Sequence, residues 1–560
     1  MSKLFSRNAA SLVLVFLISF LFIYLTSPKG VKPYDEGIIL TGAMRVAAGE
    51  VIHRDFYANY GPGQFYILAG LFKILGQKVL ALRLLDTSIR AAIIVLVYFS
   101  TRPYAKEWTA IVLTVASALW LGFVGSKGYP VYPALLISIA STLIAIETIT
   151  RRHSTAYSFL SGLLVGIVTL FRYDIGFLLL VAHTLSGALI LRLEGRQEGF
   201  PSVVIRLALF YFLGVGLVGL TVAFIYVNAG ILDSFIHDVV TFPGKYYAAT
   251  RGLPFPNPIE LSLLKGLSVI AIYLPAAAVF SILSALLGNG IYVFLRTPGV
   301  QVEYEENLHR NFLVFFIFLT TSFYLKGMVR VGIDQLQLSL IPAVMTLSAF
   351  HGLAEKRKHW IRFVLTAVVA LTAVSAVSIC LQIIVDLKGR LREHLQSSDK
   401  APQSAGIKQP ENPRLAPNFK VEPDRSLAIG YLMKHTKPGE RIFVGVNGHD
   451  RIYENDVSAY FLTGRLPATK WHQFDPGLQT SAEIQSDMVA EFEVAKPRYI
   501  WLETSWNMVS EPNDSSKSSG VHILDGYIND NYEAVETFGA ISILQRKCST
   551  EDKACAPDAG

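Results

Sequence analysis

The sequence predicts a polytopic α-helical membrane protein with a small extracytoplasmic α/β domain at its C-terminal end. Three observations lead there. Hydrophobic residues fill 52% of the 560 positions and charged residues only 17%, with a mean hydropathy of +0.42, too apolar a balance for a soluble globular chain. The apolar residues come in runs of about 17 to 25, the length that crosses a hydrocarbon core as helix. Lys and Arg collect at alternate ends of those runs, as they do in loops retained on the inner face.

The first run, Ala9 to Leu25, follows Lys3 and Arg7 and has no small-residue cleavage site, so it reads as an uncleaved first span. Further runs lie near 82–100, 108–124, 129–148, 157–171, 174–192, 202–227, 261–287, 311–326, 334–352 and 360–385, for about eleven transmembrane helices in all. With the N-terminus cytoplasmic, the inner loops receive Arg102, Lys106, Arg151, Arg152, Arg192, Arg196, Arg206, Arg296, Arg310, Lys356, Arg357 and Lys358. An odd count places the segment after residue 385 outside. The excess of 50 Lys+Arg over 43 Asp+Glu, a formal +7, is therefore topological, and no nucleic-acid partner is expected.

The chain divides into a transmembrane domain, 1–385, a linker, 386–423, and an extracytoplasmic domain, 424–560. Pro, Ser, Gln and Lys dominate the linker. Beyond it, Ser426–His435 and Ala482–Val494 read as helices, Arg441–Val446 and Tyr499–Glu503 as strands, and Ala534–Gln545 as a hairpin or strand pair. Cys380 lies in an apolar run, whereas Cys548 and Cys555 in the polar tail are either a small-loop disulfide or two free thiols.

Two outer loops are long, 27–81 and 228–260, and long loops tend to carry function. In the first, Gly37–Ala48 and Pro62–Leu75 read as helices lying at the membrane interface. Asp35 and Glu36 stand together at the outer mouth of the bundle, either as reactive carboxylates or as acids favoured at a helix N-terminus. His53, Arg54, Asp55 and Tyr60 follow in a charged, aromatic and glycine-rich stretch suited to meeting a polar headgroup. Arg172 occupies an outer turn with Asp174, as an anion ligand or as half of an ion pair joining two helix ends. Lys326 and Arg330 flank another outer turn that ends in Asp334.

Asp35-Glu36-Gly37, then Gly49-Glu50-Val51-Ile52-His53-Arg54-Asp55-Phe56, then Tyr60-Gly61-Pro62-Gly63-Gln64-Phe65-Tyr66, after a first span and before an amphipathic run, resembles the GT-C superfamily of membrane glycosyltransferases. Within it, the likeness is to glycosyltransferase family 39, the protein O-mannosyltransferase and aminoarabinose-transferase-like group, from Tyr34 to about Tyr98 and more weakly in later spans. The resemblance implies a GT-C fold, an inverting transfer from a polyprenyl-phosphate sugar, Asp35 as base with Glu36 beside it, and donor-phosphate contacts from Arg172, Lys326 and Arg330. His53, Arg54, Asp55, Tyr60, Asp174 and Asp334 are then expected at the substrate. The chain departs from the aminoarabinose-transferase pattern at Tyr60-Gly61-Pro62-Gly63, where that pattern has a Glu-Lys-Pro-Pro type segment.

The expected enzyme is a hexosyl- or pentosyltransferase of the bacterial cytoplasmic membrane, with a lipid, glycan or protein acceptor and no cofactor. No metal is expected, because a surface helix end accounts for Asp233, His237 and Asp238 more simply than a metal site. His449, Asp450, Asn455 and Asp456, in a turn-rich strand end, are candidates for carbohydrate recognition. The competing readings are a transporter or flippase of a lipid-linked sugar and a non-catalytic glycan-assembly subunit. A transporter should show mid-span ionisable groups and internal repeats, whereas this sequence gathers its charges at outer helix ends.

Overall fold

The computed structural model describes residues 9–547 apart from 195–199, 256–271, 284–303, 355–365, 385–410 and a few isolated positions. Both ends of the expected span at 261–287, the start of that at 360–385, most of the linker, and Cys548 and Cys555 lie outside the described residues, while 272–280 within the first of these spans is helical.

The membrane part begins with α1 (Ala9–Thr26), α2 (Asp35–Ala47), α3 (Gly63–Leu75), α4 (Val79–Thr101), α5 (Glu107–Phe123) and α6 (Val131–Glu147). It continues with α7 (Thr155–Thr169), α8 (Tyr173–Glu194), α9 (Phe200–Asn228), α10 (Tyr304–Gly327) and α11 (Ile333–Ala354). Apolar side chains cover the outside of this bundle. Val13, Leu14, Leu17, Ile18 and Leu21 of α1 and Leu209, Leu213, Leu217, Leu220 and Phe224 of α9 are all exposed, an arrangement costly in water and natural against lipid.

Among the described residues, four helical segments are long and apolar enough to span a bilayer: Val131–Thr150, Tyr173–Ile190, Pro201–Asn228 and Leu308–Gly327. Other expected spans are represented by shorter apolar helices, among them Ala10–Thr26, Glu107–Phe123 and Thr155–Thr169. The expected span at 82–100 is part of α4, whose apolarity is diluted by Arg83, Asp86 and Arg90. Those charges turn inward: Arg90 Nε lies 2.8 Å from Asp86, and its Nη atoms donate to the carbonyls of Leu121 and Gly125 at 2.5 and 2.6 Å. Ionised groups at membrane depth persist when paired inside the bundle.

The C-terminal part comprises α12 (Pro423–His435), β1 (Arg441–Val446), α13 (Ser458–Thr463), β2 (Leu466–Pro467), α14 (Ala482–Ala495), β3 (Tyr499–Glu503), α15 (Ile523–Asn531), β4 (Tyr532–Phe538) and β5 (Ile541–Arg546). The strands form one sheet in the order β2-β1-β3-β5-β4, with β1 parallel to β2 and β3, and β5 antiparallel to β3 and β4. Strands β1 and β3 are covered on both faces, which explains why they read as continuous apolar runs rather than as alternation.

On one face of the sheet, Ile484, Met488 and Phe492 of α14 pack with Leu524 and Ile528 of α15. The other face meets α12, α13 and, from the membrane part, α2. Here the structure corrects an expectation. Helix α2 does not lie free at the interface: Glu36 through Arg45 are buried, with Ile38, Ile39, Leu40 and Ala43 in the same core as Leu432, Val444, Tyr460 and Trp501. An amphipathic pattern records that a face is apolar, not whether lipid or protein covers it. Gly37 permits the contact, since a Cβ there would come within 2.3 Å of the Ser458 backbone nitrogen. Helix α3 keeps Tyr66, Ile67, Ile74 and Leu75 exposed.

Candidate active site

A cavity of about 220 Å³ lies where the bundle meets the sheet domain, lined by polar and charged residues, the charges from five parts of the chain. Asp35 and Tyr60 come from the first outer loop, Arg172 from the α7–α8 turn, Lys326 and Arg330 from the α10–α11 turn, and Arg251 from the second outer loop. Glu454 and Asp475 come from the sheet domain.

The local backbone explains how the first two parts converge. Gly61 N and Gly63 N donate to the carbonyls of Phe171 and Leu170 at 3.1 and 2.7 Å, clamping the glycine-rich stretch onto the turn that carries Arg172. A Cβ on Gly61 would lie 2.2 Å from the Leu170 oxygen, so only glycine allows this approach. The Arg172 guanidinium then stands 5.3 Å from the centre of the Tyr60 ring.

Asp35 opens α2 with its side chain 35% exposed, its carboxylate 4.0 Å from Lys127 Nζ. Arg172 forms two hydrogen bonds to Asp174, at 2.9 and 2.6 Å, so the ion-pair alternative is realised while the guanidinium still faces the cavity. Burial works against the Arg172 charge, but Asp174 outweighs it and holds the group above its ordinary pKa. Arg330 is engaged by Glu511 at 2.8 and 2.5 Å, an ion pair that joins the bundle to the sheet domain. Lys326, by contrast, makes no ion pair or hydrogen bond among the described residues, which leaves its ammonium uncommitted.

Arg251 is held by Asp475 at 3.1 Å and lies 3.8 Å from Glu454, while the Tyr34 hydroxyl donates to Asp475 at 3.0 Å and to the Phe474 carbonyl at 2.7 Å. Burial opposes the Arg251 charge, but Tyr34, Asp475 and Glu454 around it keep its pKa high. Burial pushes the Glu454 carboxyl up to about 7, with Arg251 opposing the shift and Asp35 adding to it.

Several expected site residues do not line this cavity. Glu36, adjacent to Asp35, leaves the helix about 100° around from it and faces Arg83 rather than the cavity. It is fully buried, with Arg83 Nε at 2.7 Å and Arg83 Nη2 at 2.8 Å, and is a structural anion. His53 is likewise fully buried, bonded through Nδ1 to Asp238 at 2.9 Å, and links the two outer loops. Arg54 and Asp55 pair with each other at 2.8 Å away from the cavity, and Asp174 contributes only through Arg172. Asp334 lies in α11, its side chain outside the described residues.

In the sheet domain three of the four candidates for carbohydrate recognition turn inward, in keeping with the alternative of a turn-rich strand end. Asn455 donates to the Val444 carbonyl at 2.9 Å, Asp456 accepts from Arg425 at 2.7 Å, and His449 bonds Asp525 at 2.6 Å. Their neighbour Glu454 is the one that faces the cavity. Asp450, His522 and Asp525 bring possible metal-ligand atoms within 4.8 Å of one another, but none of the three lines the cavity. Sequence reasoning missed Glu454 and Asp475, which stand beside Asp35 only after the sheet domain docks. Arg251 was visible as a charge in the second outer loop, without a sign of its partners.

Neither a protein-family model nor a curated protein matches the chain by sequence. Solved structures match its fold. ArnT from Cupriavidus metallidurans in the apo state is 12% identical, with a TM-score of 0.51 over 96% of this chain and 98% of that one. The same protein bound to undecaprenyl phosphate is 12% identical, with a TM-score of 0.46 over 97% of this chain and 99% of that one. The apo oligosaccharyltransferase of Archaeoglobus fulgidus is 13% identical, with a TM-score of 0.49 over 89% of this chain and 69% of that one. The likeness to apo ArnT runs nearly end to end, and with the lipid-facing helices and docked sheet domain described above it makes this chain a polytopic helical membrane protein of the GT-C fold.

Proposed function

We propose that the chain is a glycosyltransferase that moves a sugar from a polyprenyl-phosphate donor to an acceptor hydroxyl on the outer face of a bacterial cytoplasmic membrane. The carrying observation is one cavity, at the junction of bundle and sheet domain, that holds a partly exposed carboxylate, Asp35, with no hydrogen-bond donor among the described residues, together with Arg172 and the uncommitted Lys326. In this reading residues 1–385 hold the donor, and the extracytoplasmic domain from about residue 424 closes the site over it.

The chemistry matches the side chains. As the acceptor oxygen attacks the anomeric carbon, Asp35 takes its proton, and the bond from that carbon to the phosphate oxygen breaks with its electron pair passing to the phosphate. Lys326 and Arg172 face the charge that gathers there, and a fixed cation helps most where charge develops in the transition state. Arg172 would exchange one oxygen of Asp174 for a phosphate oxygen, keeping its guanidinium bidentate. Attack from the face opposite the leaving phosphate inverts the anomeric configuration. Arg330 acts at a distance, by holding Glu511 and hence the sheet domain in place.

The test is transfer of radiolabelled sugar from undecaprenyl-phosphate mannose and undecaprenyl-phosphate aminoarabinose in membranes containing the full chain. Label appearing in a lipid, glycan or protein fraction supports the reading and identifies the acceptor class. Absence of transfer from both donors, with the chain correctly inserted, refutes it for these donor classes.

A further inference from the structure

The cavity contains two carboxylates, Asp35 and Glu454, that accept no hydrogen bond among the described residues. Asp174, Asp475 and Glu511 each accept a hydrogen bond from an arginine at 2.5–3.1 Å. Asp35 and Glu454 accept none among the described residues; each has a cation only at 3.8–4.0 Å, Lys127 for Asp35 and Arg251 for Glu454. Arg251, the closest cation to Glu454, spends its hydrogen bonds on Asp475 and on the Tyr453 carbonyl instead. A mostly buried carboxylate without a hydrogen-bond donor, as Glu454 is, is costly unless a ligand or a proton completes it. Glu454 keeps 19% of its side chain exposed, so it has access to water at the sheet-domain side.

We propose that Glu454 is a further catalytic carboxylate, which shares with Asp35 the proton released by the acceptor hydroxyl and delivers it to water. The proposal rests on the transferase reading above and assigns the proton's route within it. The acceptor O–H bond breaks as the oxygen bonds the anomeric carbon, and the phosphate leaves with the electron pair. The proton is held first by Asp35, then by Glu454, and ends on bulk water, so Asp35 returns to its ionised form for the next turnover. Two carboxylates that face one cavity from different environments can divide the tasks of base and proton carrier between them.

The surroundings of Glu454 agree with a proton-carrying role. Burial and the charges of Asp35 and Asp475 favour its protonated form, while Arg251 and Arg330 favour the anion, and the balance places its pKa at about 7. Tyr34 and Tyr453 are the other titratable groups it influences, both with hydroxyls above their ordinary range. An acid near neutrality both accepts and releases a proton readily, which is the optimum for a general acid–base group at physiological pH. Because the affinity is raised, Glu454 is ionised and able to take the proton above about pH 7, and is blocked by its own proton below it.

The experiment follows transfer against pH from the two labelled donors above, with the full chain in membranes, for wild type, Glu454→Gln, Glu454→Asp and Asp35→Asn. Difference infrared titration of the purified proteins reads the carboxyl itself. Wild type should lose rate about tenfold per unit as pH falls below about 7. Glu454→Gln should lower the plateau on the order of tenfold or more, abolish that limb and remove a carboxyl band that titrates near neutrality. Glu454→Asp should restore the limb and the band, and it carries the test if the Gln variant fails to insert. An unchanged rate and limb in Glu454→Gln, or a near-neutral band that survives it, overturns the proposal while leaving the transferase reading intact. A wild type silent with both donors overturns that reading and this proposal together, a result distinguishable because no variant then differs from wild type.

Discussion

Replacing Asp35 by Asn removes the charge and keeps the shape, which separates a chemical role from a structural one. The structure bounds the structural share. Tyr34, not Asp35, is the N-cap of α2, and no side chain caps that helix, so Asp35→Asn deletes no capping hydrogen bond. What is lost is a carboxylate in the first turn, worth about 0.3–1 kcal/mol against the helix dipole, and a partly exposed pair with Lys127 at 4.0 Å, worth under about 1 kcal/mol. Loss of the base should instead reduce transfer on the order of 10²-fold or more, equivalent to about 2.7 kcal/mol of transition-state stabilisation. The expected outcome is a chain that inserts, melts within a few degrees of wild type and binds undecaprenyl phosphate normally, but turns over at about a hundredth of the rate. Glu36→Gln should show the reverse pattern: it leaves Arg83 buried without its counter-charge, the kind of change that costs roughly 3–5 kcal/mol, so thermal stability falls before chemistry does. Full activity in Asp35→Asn with its true donor and acceptor would refute the base assignment, and catalytic loss confined to Glu36→Gln would exchange the roles.

The remaining predictions concern the phosphate, the clamp and the orientation. Lys326→Met and Arg172→Ala should each weaken binding of undecaprenyl phosphate severalfold, measured by titration of the purified protein, whereas Arg330→Ala should mainly expose the sheet domain to proteolysis, because Arg330 is already occupied by Glu511; equal binding losses in all three would show that this division is wrong. Gly61→Ala must displace the Leu170 carbonyl, which a Cβ would approach to 2.2 Å, so it should cost about 1–3 kcal/mol and lower Tm, with normal stability contradicting the close contact. Reporter fusions at Lys400 and near Lys356 should read opposite sides of the membrane, with Lys400 outside; a common side would overturn the orientation and the outer-face site with it.

Much of this architecture is legible from local pattern. Apolar runs announce membrane helices because a backbone in lipid must satisfy its own hydrogen bonds, and helix does so within one segment. Arg441–Val446 and Tyr499–Glu503 read correctly as strands because both faces of β1 and β3 are covered by protein, which their unbroken apolar character requires. Asp35, Tyr60, Arg172, Lys326 and Arg330, each singled out in the sequence, line one cavity; for the four charged ones the mark is a charge at the end of an apolar run.

Their partners were not. Adjacency made Asp35 and Glu36 look like a pair, but the helix turned one toward the cavity and the other toward Arg83. His53, which reads as a substrate ligand, is instead buried against Asp238, 185 positions along the chain. Glu454 and Asp475 carry no local mark, because their place in the cavity arises from a sheet domain brought against a loop more than four hundred residues earlier. Local order already marks the apolar helices, the strands of the sheet and the positions of the charges, because hydropathy and periodicity are properties of neighbours in the chain. Only the tertiary structure decided which charges meet in the cavity and which neutralise each other, because Coulomb and hydrogen-bond energies depend on distances that packing, not chain order, sets.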